Sequence, residues 1–222
     1  MVGMNDRENE GQVAGPVTRG VPPWPGGPGQ WPEGARYDPR LLAEGDSRNV
    51  EDRYRYWTME AIRADVASRA LPFEVAVENL GHDFNIGSIV RTANAFNVGG
   101  VHIVGKRRWN RRGAMVTDRY LRVHHHETEE SLFGWLGERG IDAVGVDNLP
   151  GSVPLETAAL PRDVCLVFGS EGLGLTPGAV AGCSRLVAIT QRGSTRSLNA
   201  GAAAAIAMYH WCLQHPATEP LA

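Results

Sequence analysis

Val164-Cys-Leu-Val-Phe-Gly-Ser-Glu-Gly-Leu-Gly174 opens with five consecutive apolar residues and breaks at Gly169 into a glycine-rich loop carrying one carboxylate, Glu171. A continuous rather than alternating apolar run predicts a strand buried on both faces, as inside a parallel sheet. Four more β-rich runs have the same texture, at Phe73–Val77, Val101–Val104, Ala143–Val146 and Leu186–Ile189. Helical segments fall between them, at Ile86–Phe96, Glu129–Arg139 and a short turn near Pro177–Ala181, and Leu198–Gln214 follows the last run. This alternation predicts an α/β fold, a parallel sheet covered by helices on both faces.

Upstream, the texture is different. Residues 1–50 hold seven of the fourteen prolines and nine of the 27 glycines, a composition that sustains neither helix nor ladder and reads as a mobile tail. Asp52 to Arg69 lacks both residue types, and Tyr54, Trp57, Ala61, Ile62 and Val66 recur at helical spacing. The expected organisation is therefore a tail over residues 1–50 and one domain over residues 51–222. No apolar run approaches the roughly 20 residues of a bilayer span. Cys165, Cys183 and Cys212 show no paired spacing, so a soluble protein of a reducing cytoplasm is expected.

The net charge of −3 argues at first against a nucleic-acid partner, but its distribution reverses the inference. Residues 1–53 carry nine acids and six bases, which leaves the remainder neutral. Within that neutral body, Lys106 to Arg122 holds seven bases against the single acid Asp118. Lys106, Arg107, Arg108, Arg111 and Arg112 flank Trp109, the mixture of cations and aromatic that an RNA-gripping loop uses. The plainer alternative is a solvated loop. His124-His125-His126 could suggest a metal, yet neighbours on a strand point to opposite faces, and no metal is expected.

Three segments lie where ligands bind in open α/β sheets, at the carboxyl ends of strands. Asn85-Ile-Gly-Ser-Ile-Val-Arg91 follows the first run; alone, Asn85 reads as an N-cap and Arg91 as a surface charge. The Gly169 loop comes second, and its order of glycines is neither a dinucleotide fingerprint nor a P-loop. Ile189-Thr-Gln-Arg-Gly-Ser-Thr-Arg-Ser-Leu-Asn-Ala200 is third, a polar loop entering an alanine-rich helix, with Ser197 a possible N-cap.

In order and spacing these segments resemble the three motifs of the SpoU/TrmH family of the SPOUT superfamily, over roughly Phe73 to Gln214. Thr190 departs from the proline that the family often has there, and the N-terminal stretch has no counterpart. The resemblance implies a SPOUT-type domain with a C-terminal trefoil knot, a homodimer with sites at the interface, and S-adenosyl-L-methionine as cofactor. The implied activity is methyl transfer to a ribose 2′-hydroxyl of tRNA or rRNA. It implies cofactor contacts around Val146, Gly169, Ile189, Ser197 and Leu198, with Arg91 at the reacting hydroxyl and Asn85, Glu171, Ser197 and Asn199 arranging the site. A knotted RNA-binding module without turnover is the alternative reading.

Overall fold

The structure, a computed structural model, describes residues 20–81 and 85–216. The described residues divide into two compact units, with the division between Ile62 and Arg63.

In the first unit, residues 1–19 of the expected tail lie outside the described residues. From Gly20 onward the proline-rich chain packs, contrary to what its composition predicts. Its organiser is Asp46, which is fully buried. Arg48 grips both carboxylate oxygens, at 2.8 and 2.7 Å, and the Tyr56 N–H donates at 2.9 Å. Burial alone would raise the Asp46 pKa; the hydrogen bonds from Arg48 and Tyr56 outweigh it and lower the pKa below its ordinary value. Around this anchor lie a short helix α1 (Pro39–Glu44), capped by Asp38, and an edge contact of Trp24 on Tyr56. The helix expected from Asp52 to Arg69 is interrupted. A 3-10 turn at Asp52–Tyr54 precedes Tyr56 in the left-handed region at φ 63°, and regular α2 spans only Met59–Ser68.

The second unit is the expected α/β body. Its strands are β1 (Leu71–Asn79), β2 (Val98–Gly105), β3 (Val123–His126), β4 (Asp142–Val146), β5 (Val153–Pro154), β6 (Val164–Phe168) and β7 (Arg185–Ala188). Its helices are α3 (Asn85–Ala95), α4 (Glu129–Gly137), α5 (Pro177–Gly182) and α6 (Ala200–Gln214). The strands form one sheet in the order β3-β2-β1-β6-β4-β7-β5, with every pairing parallel. All five residues of β6 are buried, as its unbroken apolar run requires. One core joins β1, β2, β4 and β6 to α3 and α6 through Phe73, Ile86, Ile89, Met208 and Trp211, with Phe73 and Trp211 stacked at 4.2 Å. The other core seats α4 and α5 on the opposite face through Leu132, Leu136 and Ala179.

Candidate active site

Because β4, β6 and β7 are adjacent and parallel, their carboxyl ends form one rim. Val146 pairs with Phe168 on one side and Val187 on the other. Gly169 and Ile189 leave the sheet just beyond those partners, so Val146, Gly169 and Ile189 lie side by side at the sheet edge. Asp147, next after β4, receives the Leu175 N–H at 2.8 Å and ties the Gly169 loop to this rim. Asn148 donates to the Arg196 carbonyl and tethers the third motif loop. The Gly169 loop is tight enough that a Cβ at Gly169 would lie about 2 Å from the Gly174 carbonyl carbon.

Three polar side chains from separate segments meet beside this rim. The Asn85 amide donates to Glu171 Oε2 at 2.6 Å. Its oxygen accepts from Asn199 Nδ2 at 2.9 Å, and the same Asn199 amide lies 3.5 Å from Glu171 Oε1. Asn199 also caps α6, accepting the Ala202 N–H at 3.2 Å. This changes two local expectations. Asn85 is the first residue of α3, with its side chain turned to Glu171 and Asn199, and the N-cap of α6 is Asn199 rather than Ser197. A Cβ at Gly201 would lie 3.2 Å from Asn199 Oδ1 and 3.3 Å from Ser88 Cβ, so the small residue keeps α6 close to α3.

Arg91, Ser197 and Leu198 are not drawn into this network. Arg91 stands six residues beyond Asn85, about 9 Å along α3 and roughly 120° around it. It is exposed and makes no hydrogen bond or ion pair with the described residues. Ser197 and Leu198 are exposed too.

Two features of the loops suit a small polar ligand. Among the described residues, four buried side-chain polar atoms lack a hydrogen-bond partner, and two of these, Ser170 Oγ and Gln191 Oε1, lie in the second and third motif loops. Unpaired buried polar atoms are costly, so their concentration at one rim fits a bound molecule that would pair them. The third loop is also held without proline. Thr190 N and Oγ1 both donate to the Glu156 carboxylate, at 3.2 and 3.0 Å, a clasp that a proline nitrogen could not make.

The basic loop leaves the end of β2, where the buried Asn79 side chain donates to the Lys106 and Arg108 carbonyls. Lys106, Arg107, Arg108, Arg111 and Arg112 are all exposed; Arg111 also lies 5.5 Å from the Trp109 ring and 3.4 Å from Asp118. The three histidines follow Val123 in β3. His124 and His126 stack on His102, His126 Nε2 lies 2.8 Å from His102 Nδ1, and His125 turns to the Gly105 carbonyl. Burial first, then the neighbouring His102 and His124, lowers His126 to about 4. Among the described residues no group of three or more His, Cys, Asp or Glu could hold a metal ion, and no helix is long and apolar enough to cross a membrane.

Residues 72–209 match the SpoU rRNA Methylase family. An uncharacterized tRNA/rRNA methyltransferase of Mycolicibacterium vanbaalenii is 30% identical over 180 residues, covering 76% of this chain but 56% of that relative. The Escherichia coli K12 tRNA (guanosine(18)-2′-O)-methyltransferase is 26% identical over 147 residues, covering 65% of this chain and 64% of that protein. The chain spans about half the length of the first three such relatives, at 56%, 42% and 49%. The fold is that of the SpoU methyltransferase AviRb from Streptomyces viridochromogenes, solved with AdoMet, at a TM-score of 0.60 and 24% identity over 68% of this chain and 61% of that one.

Proposed function

The chain belongs to the SpoU rRNA Methylase family, and from that premise we propose that it transfers a methyl group from S-adenosyl-L-methionine to a ribose 2′-hydroxyl of tRNA or rRNA. The observation that carries the reading is the meeting of Asn85, Glu171 and Asn199, 86 and 114 residues apart along the chain, beside the rim of three parallel strands. A structural cap needs only a neighbour; a polar network assembled from three distant segments suits the orientation of a substrate.

The backbone at Val146, Gly169, Ile189 and Leu198, with Ser197, would hold the cofactor, and Ser170 Oγ and Gln191 Oε1 offer it unpaired polar atoms. When bound, it supplies an electrophilic methyl on a sulfonium centre. The protein's share is to orient the ribose for in-line approach and to stabilise charge as the hydroxyl loses its proton. Glu171 and Asn199 fix the Asn85 carboxamide for the first task. Arg91 suits the second: a guanidinium stays protonated, so it acts through charge and phosphate contact rather than as a base.

Arg91 lies apart from the network within one chain, as it would if two subunits built the site together. Ile206, Tyr209 and Leu213 are exposed along one face of α6, and Tyr209 lies near Phe96 just past α3, 6.4 Å between rings. A second copy covering this face would make the homodimer; the trefoil knot belongs to the same reading. Calorimetric titration with adenosylmethionine in excess chelator tests the cofactor assignment. Stoichiometric binding is expected, weakened by replacing Gly169 with Val, and binding that vanishes with chelator would contradict it.

A further inference from the structure

Met115 and Val116 are two consecutive residues in the left-handed region, at φ 48° and 71°. For a β-branched side chain this is an outlier that costs stability wherever it occurs. Both side chains are also half exposed, at 46% and 50%. The chain therefore strains its backbone to hold two apolar groups in water.

The surroundings force that conformation. On one side Ala114 is fully buried, and on the other Thr117 is buried and donates its hydroxyl to the Ala114 carbonyl at 2.6 Å. Gly113 meets Gly87 of α3 backbone to backbone: a Cβ at Gly87 would lie 2.8 Å from Gly113 Cα. Arg63 donates to the Arg119 carbonyl. The tip is thus clamped to α3, the helix that carries Asn85 and Arg91. It also sits inside the most basic stretch of the chain, where Asp118 is the one acid among seven bases and is already engaged by Arg111.

We propose that Met115 and Val116 form a rigid apolar wedge that seats against an unstacked base of the RNA while the arginines on either side hold its phosphates. The inference rests on the RNA-modifying reading above. A polyanion satisfies the exposed arginines, and base faces are the apolar surface it offers; inserted Met, Leu or Ile side chains serve this purpose in other nucleic-acid complexes. A ribose 2′-hydroxyl within a stacked helix is poorly placed for in-line attack, so a fixed wedge beside α3 would help present it.

The test uses the intact chain, bulk tRNA and total rRNA as probes, and three proteins: wild type, Val116→Gly, and Met115→Ser with Val116→Ser. Anisotropy across about 50 to 200 mM KCl gives affinity and salt slope, melting gives stability, and light scattering gives the oligomer mass. Glycine should raise Tm by about 2–4 °C by relieving the left-handed strain. Both variants should bind RNA at least about fivefold more weakly, the low end for removing one stacked base, with the salt slope unchanged because every phosphate-binding arginine is kept. Affinity within twofold of wild type would overturn the wedge, as would a fall in salt slope or a change in oligomer mass, which would assign the pair to loop architecture or to a subunit contact. If wild type binds neither RNA, the RNA-modifying reading fails as well; wild-type binding with unaffected variants removes the wedge alone.

Discussion

Thr176 offers the sharpest test of how the loop after Gly174 is held. Its Oγ1 lies 2.6 Å from Glu78 Oε1 and 2.9 Å from Glu129 Oε1, and it accepts the Ala179 N–H at 3.1 Å. A hydroxyl has one hydrogen to donate and two lone pairs. It can serve both carboxyl groups only if one of them is protonated and donates back. Burial raises the Glu78 pKa against the lowering by the Thr176 hydroxyl and N–H, and the nearby Glu129 charge adds to the rise, so Glu78 takes up its proton above the ordinary carboxyl range; its other oxygen accepts the Thr176 N–H at 3.0 Å. Thr176→Val leaves the buried Glu78 carboxyl without its hydroxyl partner, at about 1–3 kcal/mol, and removes the α5 cap, at about 1 kcal/mol. The expected total of roughly 2–4 kcal/mol corresponds to a Tm fall of roughly 4–16 °C for a body of this size. Thr176→Ser, which keeps the hydroxyl, should stay close to wild type. The sign of the pH effect follows from the raised pKa. Stability from neutral Glu78 is fully present below the unfolded carboxyl pKa and is lost as pH rises through the folded value. Glu78→Gln, neutral at every pH, should therefore match wild type near pH 4 and exceed it increasingly at higher pH, until Glu78 is ionised. Thermal melts of all four proteins across that range decide the matter. A Thr176→Val loss under about 1 kcal/mol, or a Glu78→Gln difference that ignores pH, would refute the proton placement.

Arg91→Ala should leave folding and cofactor binding intact and slow single-turnover methyl transfer at least about 100-fold, the scale of one positioned electrostatic donor; near-normal turnover would remove Arg91 from the chemistry. Replacing Arg107, Arg108, Arg111 and Arg112 with Gln should weaken RNA binding and reduce the salt slope by roughly 0.7 to 0.9 for each phosphate that is no longer gripped. An unchanged slope would return the stretch to a solvated loop. Asp46→Ala leaves the buried face of Arg48 uncompensated and should destabilise the first unit by about 3–5 kcal/mol, seen as a loss of hydrogen-exchange protection over residues 20–62. Because the Asp46 pKa is lowered in the folded chain, wild-type protection there should hold above the unfolded carboxyl pKa and decline as pH falls through the folded value.

What sequence reveals and conceals divides along physical lines. β6 is legible to the residue because a central strand buried on both faces must be apolar throughout. β3 is not, since His124 stacks on His102 and His126 hydrogen-bonds it, polar contacts that match no apolar pattern. Periodicity over residues 52–69 predicts too long a helix because the Tyr56 N–H serves the distant carboxylate of Asp46. Composition also hides the packing of residues 20–62, where Arg48 pairs with the buried Asp46 and Trp24 meets Tyr56 without any apolar periodicity. Asn85, Glu171 and Asn199 are legible as members of three motifs, but their mutual hydrogen bonds are not, since no local rule joins residues 86 and 114 positions apart. The Glu78–Thr176 contact, 98 residues apart and outside any motif, leaves no signal at all.

The central claim is the chemistry, and the most direct measurement of it is transfer of labelled methyl from adenosylmethionine to bulk tRNA and rRNA, followed by digestion to nucleosides and separation of base-methylated from ribose-methylated products. Label is expected in a 2′-O-methylnucleoside, appearing at least about 100-fold more slowly when Arg91 is replaced by Ala and also more slowly when Asn85 is. Label confined to a base, or RNA left unlabelled under saturating cofactor, would contradict it.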